Sequence, residues 1–99
     1  MKKYNVEITN QAHESLDTII EHKISHSDDL VSAYNFRSGF YEHAKALSIF
    51  PHRGFNMPRG NKAQVYKSHL IIYRIQEPLK VSVLDIIDPR QDTVASKYY

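Results

Sequence analysis

Tyr4, Val6 and Ile8 alternate with Asn5, Glu7 and Thr9, the two-residue period of a strand with one buried face. Past Thr9 and Asn10 the period changes, and either side chain can accept a bond from a free backbone N–H in a first helical turn. Ala12, Leu16, Ile19, Ile20 and Ile24 then recur at helical spacing while Glu14, Asp17 and Glu21 occupy much of the remaining surface. This predicts an amphipathic helix of about 15 residues. The polar stretch 25–29 interrupts it, with Ser27 or Asp28 placed to cap a second helix. In that helix Leu30, Ala33, Tyr34, Phe36, Phe40, Tyr41, Ala44, Leu47 and Phe50 return at helical intervals, and Tyr34, Phe36, Phe40 and Tyr41 read as core. Pro51 closes the element, because the residue before a proline is pushed out of the helical region. The short link predicts an antiparallel helical hairpin.

Residues 52–62, with Gly54, Pro58 and Gly60, read as an irregular basic loop. Three strand-like runs follow, over 64–67, 69–76 and 80–88, the last two rich in branched and aromatic residues. Gln76-Glu77-Pro78-Leu79 is a turn that makes them a hairpin, and Pro89 ends the final strand. The order β-α-α-β-β-β predicts an α+β fold, a helical hairpin packed on a mostly antiparallel four-stranded sheet. At 99 residues this is one domain, with 91–99 a polar and mobile tail.

The chain has no cysteine, which removes disulfides, thiolate ligands and a thiol nucleophile and fits a reducing compartment. No run of apolar residues approaches a signal peptide or a membrane span, so a soluble, cytoplasmic protein without membrane contact is expected. The six histidines (13, 22, 26, 43, 52 and 69) lack a compact ligand spacing, and neither metal nor other cofactor is expected. The small net charge of +2 conceals an asymmetry: residues 43–76 contain Lys45, Arg53, Arg59, Lys62, Lys67 and Arg74 and no acid. Such a block attracts phosphates or an acidic protein surface, unless the acids of the first helix fold back against it.

Several stretches carry a resemblance. Ala44 to Gly54 contains a leucine at the end of a helix, then a proline and a glycine; Ser68 to Ile75 contains a tyrosine–arginine strand; Val81 to Asp92 contains a final strand followed by Arg90. In this order and at these spacings they resemble the RelE/ParE superfamily of type II toxin–antitoxin toxins, over about residues 3–92, and the ParE branch in particular. The resemblance implies a growth-inhibiting toxin, of the kind linked to plasmid stabilisation, bound by a cognate antitoxin in a hetero-oligomer. It implies one of two targets: DNA gyrase for ParE-like members, or messenger RNA in the ribosome for RelE-like endoribonucleases.

Fold does not choose between these targets; the site must. Cutting RNA requires basic groups that activate the ribose 2′-OH, hold the phosphate charge and protonate the leaving oxygen. The position that matches a RelE-like strand arginine is Leu70, and a C-terminal histidine–tyrosine pair of some relatives is matched by Asp88-Pro89-Arg90. The departures favour a gyrase-directed toxin with Arg53, Arg59, Lys62, Arg74 and Arg90 as its target-binding surface. The alternative is a nuclease whose groups are His69, Lys62, Lys67 and Arg90. Arg74 has a structural reading as well, a partner to a first-helix acid or to Asp85 that braces the sheet. Tyr98 and Tyr99 belong to the tail.

Overall fold

The computed structural model describes residues 3–27, 29–91 and 97–99. Strand β1 (Asn5–Ile8) leads directly into helix α1 (Asn10–Ser27). Thr9 makes that abrupt change possible. Its Oγ1 accepts the backbone N–H of Ala12 at 3.3 Å, one of the donors that a first helical turn leaves free. The same hydroxyl lies 2.9 Å from the carbonyl of Val83 and 3.1 Å from that of Leu84, and donates toward them.

Helix α2 (Leu30–Ala46) is capped by Asp29, whose side chain accepts from Ser32 N at 3.0 Å. The cap therefore falls beyond Ser27 and Asp28: α1 itself runs through Ser27, and Asp28 lies outside the described residues. The stripe Ala33, Phe36, Phe40, Ala44 and Leu47 is buried, at spacings of three and four that keep one face toward the sheet. Tyr34 stands one helical step away from it and is 60% exposed, so it is not core; Tyr41 lies half-buried at the stripe's margin. Helical geometry stops at Ala46, four residues before Phe50, which is exposed. Gly39 has a steric reason: a Cβ there would collide with the Tyr66 hydroxyl, which donates to the Phe36 carbonyl at 2.7 Å.

The sheet has five strands, in the order β1-β5-β4-β3-β2, with β2 at Phe55–Asn56, β3 at Lys62–Tyr66, β4 at His69–Gln76 and β5 at Lys80–Ile87. Only β1 with β5 is parallel. The fifth strand is β2, two residues inside the segment that reads as an irregular loop; Phe55 pairs with Ala63 and Asn56 with Lys62. A pair so short leaves no alternating pattern for a sequence to display.

In β4, Ile71 and Tyr73 face the helices and join the main core with Val81, Val83 and Ile86, while Leu70 and Ile72 lie on the other face with Met57, Ala63 and Ile87. A bulge keeps the partition consistent. Ile72 pairs with Asp85 but Tyr73 pairs with Val83, so Leu84 is an extra residue in β5 and every later side chain changes face. Without it Ile86 would leave the core and Asp85 would enter it. The bulge carbonyls of Val83 and Leu84 are the ones that meet Thr9.

The second face is not open to solvent throughout. Tyr98 packs against it, half-buried, and its hydroxyl donates to Asp85 Oδ2 at 2.5 Å. Residues 97–99 thus lie on the body of the fold, where the sequence suggests a mobile tail; residues 92–96 lie outside the described ones.

Candidate functional site

The candidate bases fall into three places. At one end of the sheet, Lys67 and Ser68 form the two-residue connection between β3 and β4, and both take positive φ (45° and 67°). Mirror-image turns need this at both central positions, and Asn-Gly is their favoured filling; a lysine and a serine adopt it at a cost. The Lys67 ammonium sits 5.7 Å from the Tyr66 ring centre, and its carbonyl meets His69 Nδ1 at 2.9 Å. An acceptor at that distance puts the proton of a neutral imidazole on Nδ1. His69 is 8% exposed, with its ring 5.1 Å from that of Phe36 in an edge contact, so it is a buried residue rather than a surface one.

His69 and Arg90 line a cleft of about 450 Å³ against Ser15, Ile19 and His22 of α1. Arg90 is already occupied: Nε and Nη2 reach the two Asp88 carboxylate oxygens at 2.9 and 2.8 Å. That bidentate hydrogen bonding, more than the charge alone, holds the Asp88 carboxyl down at about 2.

At the other end lie Arg59, Lys62 and Arg74. Pro58-Arg59-Gly60-Asn61 turns sharply, with Arg59 at φ 65° and Gly60 at φ 77°. Arg74 stabilises the turn: its Nε donates to Asn61 Oδ1 at 3.1 Å and its Nη2 to the Arg59 carbonyl at 2.9 Å. The arginine thus braces the loop through neutral acceptors, and neither a first-helix acid nor Asp85 is its partner. The Arg59 guanidinium reaches the Lys97 carbonyl at 3.2 Å, and Lys62 Nζ reaches Asn56 Oδ1 at 3.0 Å. Every one of these contacts leaves the positive charge uncancelled. The ion pairs among the described residues join Arg37 to Asp17, Lys80 to Glu7 and Arg90 to Asp88, and none involves Arg59, Lys62 or Arg74.

Arg53 stands apart, on a groove with His43, Gly54, Phe55, Gln64 and Val65. His43 is held below the usual histidine value, first by burial and then by the Arg53 charge.

The four nuclease candidates are therefore not one cluster. Lys67, His69 and Arg90 share an end, whereas Lys62 pairs with Tyr73, four strand positions from the Tyr66–His69 pair. That separation is about 13 Å at the usual rise of an antiparallel strand. Arg59, Lys62 and Arg74 of the target-binding set share one end of the sheet, with Lys62 and Arg74 on opposite faces of it; Arg53 and Arg90 lie elsewhere. Leu70 is buried in the apolar cluster under the Tyr98 side. The role of Asp85, a buried carboxyl that receives the Ile86 N–H at 2.8 Å and the Tyr98 hydroxyl, is not legible from the alternating pattern of β5, because the bulge changes its face. Among the described residues no group of three metal-ligating side chains occurs.

The sequence matches the model of the family described as the ParE toxin of the type II toxin–antitoxin system parDE, over residues 6–93. The fold is similar to a solved structure of a chromosomal ParDE toxin–antitoxin system from P. aeruginosa, with a TM-score of 0.74, 18% identity and coverage of 87% of this chain and 96% of the other. It is also similar to a chain of the RelBE2 toxin–antitoxin complex from Mycobacterium tuberculosis, with a TM-score of 0.66, 21% identity and coverage of 89% and 93%. No curated protein sequence matches it. The family match over most of the chain makes this α+β domain a RelE/ParE-type toxin. The chain belongs to the ParE toxin family of type II toxin–antitoxin systems.

Proposed function

We propose that this toxin arrests growth by binding DNA gyrase through protein–protein contact and that a cognate antitoxin neutralises it. The observation that carries the target is the separation of its chemistry from its charge. Arg59, Lys62 and Arg74 keep uncompensated charge for a partner, yet His69, the histidine of the nuclease set, lies about 13 Å along the sheet from the Lys62–Tyr73 pair. Arg90, which lines a cleft with that histidine, is engaged by Asp88, whose carboxylate also opposes a phosphate. Leu70 gives the second face an apolar wall where a nuclease needs a cation. A cytoplasmic location follows from such a target and belongs to the same proposal. No helix among the described residues is long and apolar enough to cross a membrane.

The test is a gyrase supercoiling assay run beside in-vitro translation with primer extension on the message. Inhibited supercoiling with an intact message is expected, and Arg59→Ala, Lys62→Ala and Arg74→Ala should each weaken inhibition. Message cut at the ribosome, with gyrase untouched, overturns the reading and turns attention to Lys67 and His69.

A further inference from the structure

Helix α1 ends in a turn that carries two histidines. Among the six in the sequence, His22 and His26 are the one pair four residues apart, so they project from the same side of the helix. Both are exposed. Their rings are stacked, with centroids 4.0 Å apart and 29° between the planes. Two imidazoles at this helical spacing can present their nitrogens to a single metal ion.

The tautomer suits that use. His26 Nδ1 lies 3.0 Å from the His22 carbonyl, which can only accept, so in the neutral ring Nδ1 carries the proton and Nε2 keeps its lone pair. A ring N–H given to a backbone carbonyl is the contact that orients metal-ligating histidines and makes the other nitrogen more basic. Ser25 Oγ, which donates to the Glu21 carbonyl at 2.9 Å, stands 3.3 Å from the same Nδ1. The pair also occupies the last turns of α1, where carbonyls without intrahelical partners favour a cation. Lys23, next in sequence to His22, has its ammonium over the Phe36 ring at 4.6 Å. By contrast His13, His43 and His69 stand singly, with a ring nitrogen at the Tyr41 hydroxyl, the Gly39 carbonyl and the Lys67 carbonyl respectively.

We propose that His22 and His26 chelate a divalent transition ion of the zinc class through their two Nε2 atoms. A tetrahedral zinc with bonds of about 2.0–2.1 Å holds two nitrogens about 3.3 Å apart, and rings already stacked at 4.0 Å reach that by small side-chain rotations. Two protein ligands leave positions open to water or an outside donor. Among the described residues no group of three ligating side chains occurs, so the ion is held more weakly than a structural zinc and exchanges. Lys23 stands where a hydrolytic zinc helix of this spacing carries its glutamate, which removes the general base. The site depends on neither the gyrase nor the antitoxin reading.

The experiment titrates the full chain, carrying no affinity tag, with zinc chloride in a non-chelating buffer, followed by calorimetry and by NMR of the histidine rings. One ion per chain is expected, with the His22 and His26 signals shifting while those of His13, His43, His52 and His69 stay in place. His22→Gln and His26→Gln should each weaken binding at least tenfold, and the double variant little further, because a chelate is lost with either ligand. His52→Gln, a change at another exposed histidine, should bind as the native chain does. Zinc should raise the melting temperature of the native chain and not that of His26→Gln. Should a variant lose its fold, the ring shifts in the native chain still decide. One ion per two chains, with a zinc-dependent dimer in sedimentation, also supports the site and shows its open positions filled by the same pair of a second copy. Undiminished binding in His26→Gln, shifts confined to other histidines, or no zinc uptake by the native chain overturns the proposal.

Discussion

Tyr98 donates its hydroxyl to the buried carboxyl of Asp85, 13 residues upstream. Tyr98→Phe keeps the ring over Met57, Leu70 and Ile72 but leaves that carboxyl one donor short. The expected loss is about 1–3 kcal/mol of stability, read as a lower midpoint in urea with an unchanged slope. An unchanged midpoint would show that the tail contact contributes nothing.

The same pair sets a pH dependence. Burial, then the hydrogen bond and charge of Asp85, push the Tyr98 phenol above the usual tyrosine value. A phenol that ionises later in the folded chain than in the unfolded one contributes stability that is complete below about pH 10 and is lost as pH rises through the folded value. Tyr66 and Tyr73 are raised as well, chiefly by burial. Alkaline melting should therefore fall steeply above about pH 10, and less steeply in Tyr98→Phe.

Gly39→Ala should destabilise the protein, although alanine in place of a helical glycine ordinarily stabilises by about 0.5–1 kcal/mol. The new methyl collides with the Tyr66 hydroxyl and dislodges its bond to Phe36. A drop of about 1–3 kcal/mol is expected, as for other overpacked sites. A rise in melting temperature would mean that Tyr66 moves aside freely.

Replacing Lys67-Ser68 by Asn-Gly supplies the residues that two positive φ angles favour. Stability should rise by about 1–2 kcal/mol, detectable as a melting temperature several degrees higher. No change would mean that the native turn carries no such cost.

His43 responds to acid. Burial and then Arg53 hold it below its usual value, with Glu42 opposing. The unfolded chain takes up that proton first, so stability is full above about pH 6.5 and declines as pH falls toward the folded value. NMR titration of the Arg53→Gln chain should show the His43 midpoint moved upward; an unmoved midpoint would leave burial and Lys67 as the causes.

What could be read from residue order was whatever repeats. The period of two in Tyr4–Thr9 and the helical stripe from Ala33 to Leu47 repeat, and both elements form. Events that occur once leave no period. The extra residue at Leu84 reverses the faces of Asp85 and Ile86, and the Phe55–Asn56 strand is too short to alternate. Tyr34 shows the limit of spacing alone, since one helical step separates it from buried Ala33. For the site, the acid-free block 43–76 was visible as charge. Its division into two ends of the sheet was not, because that depends on the pairing register that puts Lys62 at Tyr73 and Tyr66 at His69. Nor was the engagement of Arg90 by Asp88, which needs a turn after Ile87.

Thr9 and Leu84 lie 75 residues apart in the chain and within hydrogen-bonding distance in the fold. While the chain is being synthesised, the first strand has no neighbour to pair with until β5 has emerged. The α1 N-terminus likewise waits for the bulge that completes its Thr9 junction. Assembly of this sheet is a late event, set by long-range closure rather than by local structure. A ribosome making this chain therefore carries an unclosed sheet for most of its length, and the strand made first is among the last to find its place.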